Sequence, residues 1–239
     1  MKYPSLKTLG LALAAAFPVL ASAQWSANVS LTTNYKFRGQ DQDASRSKAI
    51  KPALQGGFDY TFGESGWYLG NWNSSVNWLQ GNSLEMDFYG GYKFKVGEVD
   101  GDLGALTYVY PGNSTGNTTE LYGAASYGPF TAKYAHTVSA DYFGLAGSGA
   151  KGRNTGYLNL AYSQEVLAHT TLKATVGYTR FASGIHDQGV PHYVDYSLGA
   201  SYDFGSGLAL GAAVAGETQK DYFGDGNKAR LIVTLSKTL

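Results

Sequence analysis

Apolar and polar residues alternate with a period of two through most of the chain. In residues 25–35 the odd positions are Trp25, Ala27, Val29, Leu31, Thr33 and Tyr35. The even positions are Ser26, Asn28, Ser30, Thr32 and Asn34. A repeat of two is the pleat of a β-strand with one apolar and one polar face. Residues 84–95 show it again: Leu84, Met86, Phe88, Gly90, Tyr92 and Phe94 share one face, and Glu85, Asp87, Tyr89, Gly91, Lys93 and Lys95 the other. Ten further segments extend the pattern, at 52–62, 67–78, 100–110, 119–127, 130–138, 155–163, 170–181, 192–204, 208–217 and 229–239. The pattern thus predicts about 12 strands, most of them about 9–11 residues long, the length at which a tilted strand crosses a bilayer's hydrocarbon.

The links between these segments alternate in length. Those at 63–66, 96–99, 128–129, 164–169 and 205–207 are short. Those at 36–51, 111–118, 139–154, 182–191 and 218–228 are longer and rich in Gly, Asn, Ser and Asp, while 79–83 is short where a long one is due. Short turns at one end and long loops at the other are the habit of outer-membrane barrels, with the short turns periplasmic. The expectation is an all-β fold, a transmembrane antiparallel β-barrel spanning residues 24–239 as one domain. A soluble sandwich or lipocalin-like barrel would turn the apolar face inward, and alternation alone does not separate the two. Charges on the polar face suit a wet lumen, and Tyr and Phe near strand ends on the apolar face suit interfacial girdles.

Composition adds to this picture. With 19 Tyr, 11 Phe and 4 Trp but only 15% charged residues, the chain is rich in rings that carry a polar tip, as membrane interfaces require. No stretch after residue 23 reaches 18 apolar residues, so no transmembrane helix is expected there. Residues 1–23 read as a secretory signal: Lys2 and Lys7, an apolar run at 9–20, and Ala21-Ser22-Ala23 before a cut at Gln24. Its removal leaves 16 basic against 18 acidic residues, a net charge of −2. That balance offers no basic footprint for nucleic acid. There is no cysteine, which excludes disulfides, thiolate chemistry and zinc–thiolate sites.

Several motifs carry a resemblance. They are Asn34-Tyr35-Lys36-Phe37-Arg38-Gly39-Gln40, the run Pro52 to Tyr60, Trp67 to Trp72, Glu85 to Tyr92, and Glu120-Leu121-Tyr122-Gly123. In order and content they resemble the TorF-type family of porin-like exported proteins, most strongly in the first half. The resemblance implies an exported barrel of porin type and brings no established catalytic or binding residue. One departure is the end of the last strand, which carries Leu239 where many such barrels carry an aromatic.

Candidate chemistry is sparse. None of His136, His169, His186 and His192 has metal-ligand spacing or a nucleophile motif beside it. The glycine clusters at 39, 56–57, 90–91 and 147–152 fit no phosphate loop. Asp225-Gly226-Asn227 reads as a turn rather than a calcium loop, which needs 6–8 oxygens. The polar face is the informative surface, and by alternation its charges are Glu85, Asp87, Lys93, Lys95, Glu120, Lys133, Lys173, Asp195, Asp203 and Arg230. Tyr89, Tyr122, Tyr157 and Tyr193 point the same way and narrow any path. Arg38 is placed at the root of the first outer loop, above Glu85, Asp87 and Glu120, with which it would form a charged constriction. In the alternative arrangement Arg38 pairs with one carboxylate and locks the first loop.

These readings give a porin-like channel in the outer membrane of a Gram-negative bacterium, passing small polar or ionic solutes by passive diffusion. It needs no cofactor and no metal, catalyses no reaction, sits among outer-membrane lipid and lipopolysaccharide, and is expected as a monomer. The alternatives are a non-conducting barrel with a structural or surface-binding role, and an outer-membrane lipid hydrolase built around a residue such as His136.

Overall fold

The computed structural model describes residues 25–45, 50–146 and 151–239; the expected export signal and most of the glycine-rich stretch 147–152 lie outside the described residues. The barrel strands are β1 (Trp25–Thr32), β4 (Ala53–Thr61), β5 (Trp67–Ser75), β6 (Leu84–Val96), β7 (Val99–Val109) and β8 (Thr118–Tyr127). They continue as β9 (Phe130–Thr137), β10 (Gly156–Leu167), β11 (Thr170–Arg180), β12 (Tyr193–Gly205), β13 (Leu208–Glu217) and β14 (Arg230–Thr238). Each pairs antiparallel with its neighbours in sequence, and β1 closes the ring by pairing with both β4 and β14. Ala27 and Leu239 exchange backbone hydrogen bonds across that seam. Closure leaves no unpaired sheet edge, which is what lets strands stand in a bilayer. Among the described residues no helix is long and apolar enough to cross a membrane.

All twelve expected strands are present. Two boundaries differ in a way that matters. The strand expected at 155–163 runs on to Leu167, so its turn shrinks to Ala168-His169, with His169 at φ 63°. The first strand stops at Thr32, whose hydroxyl donates to the Asn34 carbonyl at 3.0 Å. Such a local bond competes with the sheet ladder, and the chain leaves the wall there. It then folds into a small hairpin, β2 (Lys36–Phe37) against β3 (Gln40–Asp41).

The sense of the faces is that of a membrane barrel. On β6, Leu84, Phe88, Tyr92 and Phe94 are exposed on the outer wall, whereas Glu85 and Asp87 are buried inside. Aromatic pairs ring the outer wall near the short-turn end, among them Trp25 with Tyr60 (4.8 Å between centroids) and Trp67 with Tyr92 (5.0 Å). This is the girdle expected of amphipathic rings at an interface.

Buried side chains gather inside the long-loop half of the barrel. One cluster holds Tyr35, Trp72, Val76, Tyr108 and Tyr110. A second holds Tyr142, Phe181, Ile185, Val190 and Tyr193, drawn partly from the loop helix α1 (Ser183–His186). Phe143 packs against both. The loops therefore fold inward and fill this half.

Candidate functional site

The site is built around the β2–β3 hairpin. Arg38 and Gly39 are its two turn residues, at φ 48° and 76°. Positive φ at both central positions marks a turn whose twist matches a two-residue hairpin, and it favours glycine at the second. Gly39 also has no room for a side chain: a Cβ there would lie 2.7 Å from the Glu217 Cβ and 2.9 Å from the Asp195 Cβ. The hairpin tip is thus seated against the inner wall formed by β12 and β13.

From this tip Arg38 crosses the lumen. Its Nη1 donates to Glu120 Oε1 at 2.9 Å and its Nη2 to Glu120 Oε2 at 2.6 Å. Nη1 also donates to the Tyr142 hydroxyl at 3.0 Å, and the guanidinium lies 4.1 Å above the Tyr157 ring. Both partners of the pair are almost wholly buried, with side chains 6% and 2% exposed. A rigid fork matched to a carboxylate is the geometry that makes a buried ion pair hold. Arg38 is therefore at the tip of an inserted hairpin, not at the root of an outer loop as its sequence position suggested.

The other carboxylates are held differently. Glu85 accepts from the Tyr35 hydroxyl at 2.7 Å and the Tyr110 hydroxyl at 2.5 Å. Burial, with the Glu85 charge beside them, holds both tyrosines well above their usual pKa, so they remain donors. Asp87 is 4% exposed, and its Oδ1 receives no hydrogen bond. Asp195 Oδ1 accepts from Tyr157 at 3.1 Å, while its Oδ2 is buried without a donor. Arg230 opens β14 at the same end, its Nε likewise without a partner. Lys93 and Lys133 make no hydrogen bond or ion pair with this cluster, although Lys133 lies within electrostatic reach of Arg38 and Glu120.

The base of the hairpin is fixed by residues that alternation did not single out. Lys51 donates to Asp41 Oδ2 at 3.0 Å, in an ion pair whose side chains are 1% and 4% exposed. Asn227 accepts from the Asp41 backbone at 2.7 Å and donates to Gln40 Oε1 at 2.6 Å. The turn at Asp225 to Asn227 thus serves to clamp the hairpin. Lys36 donates to the carbonyls of Gly39 and Gly226. Burial lowers its pKa to about 8, against the pull of Asp41 and with the help of Arg230. The one local signal for this hairpin was Arg38-Gly39 between alternating residues.

His136 lies on the outer wall, bonded to the Tyr134 hydroxyl at 3.1 Å and Asn154 Oδ1 at 3.2 Å. No serine bonds to it among the described residues.

The family model described as "Bacterial protein of unknown function (Gcw_chp)" matches residues 19–238. Among solved structures, the barrel is similar to that of the KdgM porin, with a TM-score of 0.57 and 10% identity over 89% of this chain and 98% of that one. The NanC porin gives 0.58 and 12% over 89% and 97%. The KdgM porin in complex with disordered oligogalacturonate gives 0.54 and 10% over 89% and 97%. At these identities the likeness is one of fold. No curated protein matches the chain in sequence.

Proposed function

This chain belongs to the Gcw_chp family, and from the barrel it builds we propose an outer-membrane channel for passive diffusion of small polar or ionic solutes, narrowed by its own first loop. The observation that carries the reading is the inserted hairpin with Arg38 pinned to Glu120. A loop folded into a barrel and fixed by a charge pair narrows the path without breaking the wall, and a porin-like fold supports passage as the use of such a wall. In this reading Arg38, Glu85, Asp87 and Glu120 form the constriction, and Lys93, Lys133, Asp195 and Arg230 line the way to and from it. Residues 1–23 direct export, the short turns face the periplasm, and the barrel works as a monomer among outer-membrane lipid and lipopolysaccharide. The TorF-type resemblance agrees with this assignment.

A second reading, a non-conducting barrel, is favoured by one observation: the aromatic clusters that fill the long-loop half. Planar-bilayer recording of refolded protein separates the two. The channel reading expects small conductance steps, larger when residues 36–41 are replaced by a short Gly-Ser link. Absence of steps in both proteins leaves the barrel as a structural element.

A further inference from the structure

Below the hairpin the inner wall changes character. Lys93 on β6, Lys133 on β9 and Lys173 on β11 face inward, and each is the fourth residue from the short-turn end of its strand. Lys93 and Lys133 share one register row, through Asp102 and Ala124, and Lys173 lies four residues nearer the short-turn mouth than Gly177, which continues that row on β11. Lys93 lies 4.8 Å from the Tyr68 ring centre and Lys133 4.1 Å from the Tyr122 ring centre. The two tyrosine hydroxyls bond to each other, and Tyr68 donates to Asp102 at 2.7 Å. The hydroxyl end of each ring lies close against a glycine of the wall, Tyr68 at Gly91 and Tyr122 at Gly104. The rings therefore act as fixed shelves under the ammonium groups.

Among the described residues, no carboxylate comes within ion-pair distance of any of these three lysines. Two acids of this half each accept from a tyrosine, Asp59 from Tyr89 at 2.6 Å and Asp102 from Tyr68, and their charges stand near Lys93 and Lys133 without pairing with them. The wall across the ring from Lys93 and beside Lys173 is built small, with Ser197, Gly199 and Ser201 on β12 and Ala209, Gly211 and Ala213 on β13. Small side chains thus stand across from Lys93 and beside Lys173. An ammonium is a compact point charge with three donors, and low-dielectric walls focus the field of such groups on a cleft.

We propose that the short-turn half of the lumen is a binding site for a small organic anion carrying two or more carboxylates. Lys93, Lys133 and Lys173 each contribute one ammonium, and the tyrosine shelves fix the first two. At about 4.8 Å per strand step and 3.3 Å per residue, Lys93 and Lys133 stand ~14 Å apart, and Lys173, two strands on and four residues along, stands ~16 Å from Lys133 along the curved wall. A monocarboxylate reaches one of them, whereas a di- or tricarboxylate bridges two. This proposal rests on reading the lumen as a solute path, yet binding is measurable without conduction.

The test is calorimetric titration of citrate into refolded barrel in uncharged detergent at low salt, with glycerol as the neutral probe and acetate as the monovalent one. The expected result is citrate binding at least tenfold tighter than acetate, with no glycerol binding. Lys133→Gln with Lys173→Gln should weaken citrate at least tenfold. Lys133→Arg should retain it, as should Lys95→Gln, because Lys95 is exposed and already paired with Asp100. Lys173→Gln alone removes no bond of the fold and serves if the double variant fails to close. Citrate bound no tighter than acetate, or bound equally by the lysine variants, overturns the site. Citrate binding without conductance defeats the channel reading alone, and conductance without citrate binding defeats the site alone.

Discussion

Arg38 shows what one side chain does when it is buried with its partner. Removing one member of a buried, hydrogen-bonded ion pair costs about 3–5 kcal/mol, because the other charge stays uncompensated. Arg38→Ala should therefore release the hairpin, read as new proteolytic cleavage at 36–41 and a lower unfolding temperature. Adding Glu120→Gln to it should restore much of the loss, since no stranded carboxylate remains; a double variant as weak as the single one would refute the pairing energetics. Lys36 gives a pH dependence with a definite sign. Its folded pKa of about 8 lies below the ordinary 10.5, so between those values the released hairpin binds more protons than the docked one. Docking should strengthen as pH rises from 8 to 10.5 and stay level below 8. Protease protection of the hairpin at pH 7.5 and 10 checks this, and Lys36→Met should flatten the difference.

At the scale of elements, the barrel strands were legible and the hairpin was not, for a physical reason. A barrel wall is one layer thick, with apolar surroundings on one side and a polar lumen on the other, so parity along the chain assigns each side chain to a face. Glu85, Asp87, Lys93, Glu120 and Lys133 all point inward as their parity requires. Parity says nothing about which inward residue meets which across the lumen, so the Arg38–Glu120 pair, 82 positions apart, could be named only as one option. The hairpin itself has two residues per strand, too few to show a period. Its turn is the feature a sequence can carry, and it is sensitive: Gly39→Ala places a Cβ against Glu217 and Asp195 in a backbone region costing non-glycine residues about 1–2 kcal/mol. This variant should unseat the hairpin while leaving the strands intact. Far-ultraviolet circular dichroism should stay unchanged as protease sensitivity at 36–41 rises; protection equal to the parent would mean the tip is not seated against β12 and β13.

The whole molecule is a tube whose outside is its oily side, and neighbouring residues test that directly. Leu198 on β12 is 59% exposed on the outer wall, and Ser197 beside it faces the lumen. Leu198→Arg should cost about 2–4 kcal/mol in bilayers, the cost of a charge near the midplane, whereas Ser197→Arg should cost much less. Urea titration in lipid vesicles measures both, and equal losses would reverse the assignment of the faces. The seam between β1 and β14 carries a different consequence. Because Ala27 and Leu239 are hydrogen-bonded neighbours, the fold is a ring with no geometrically privileged starting point. A protein rewired by a short linker across that seam, and opened instead at the Ser206-Gly207 turn, should assemble into the same tube. The order in which the strands leave the ribosome would then be a matter of history rather than of architecture.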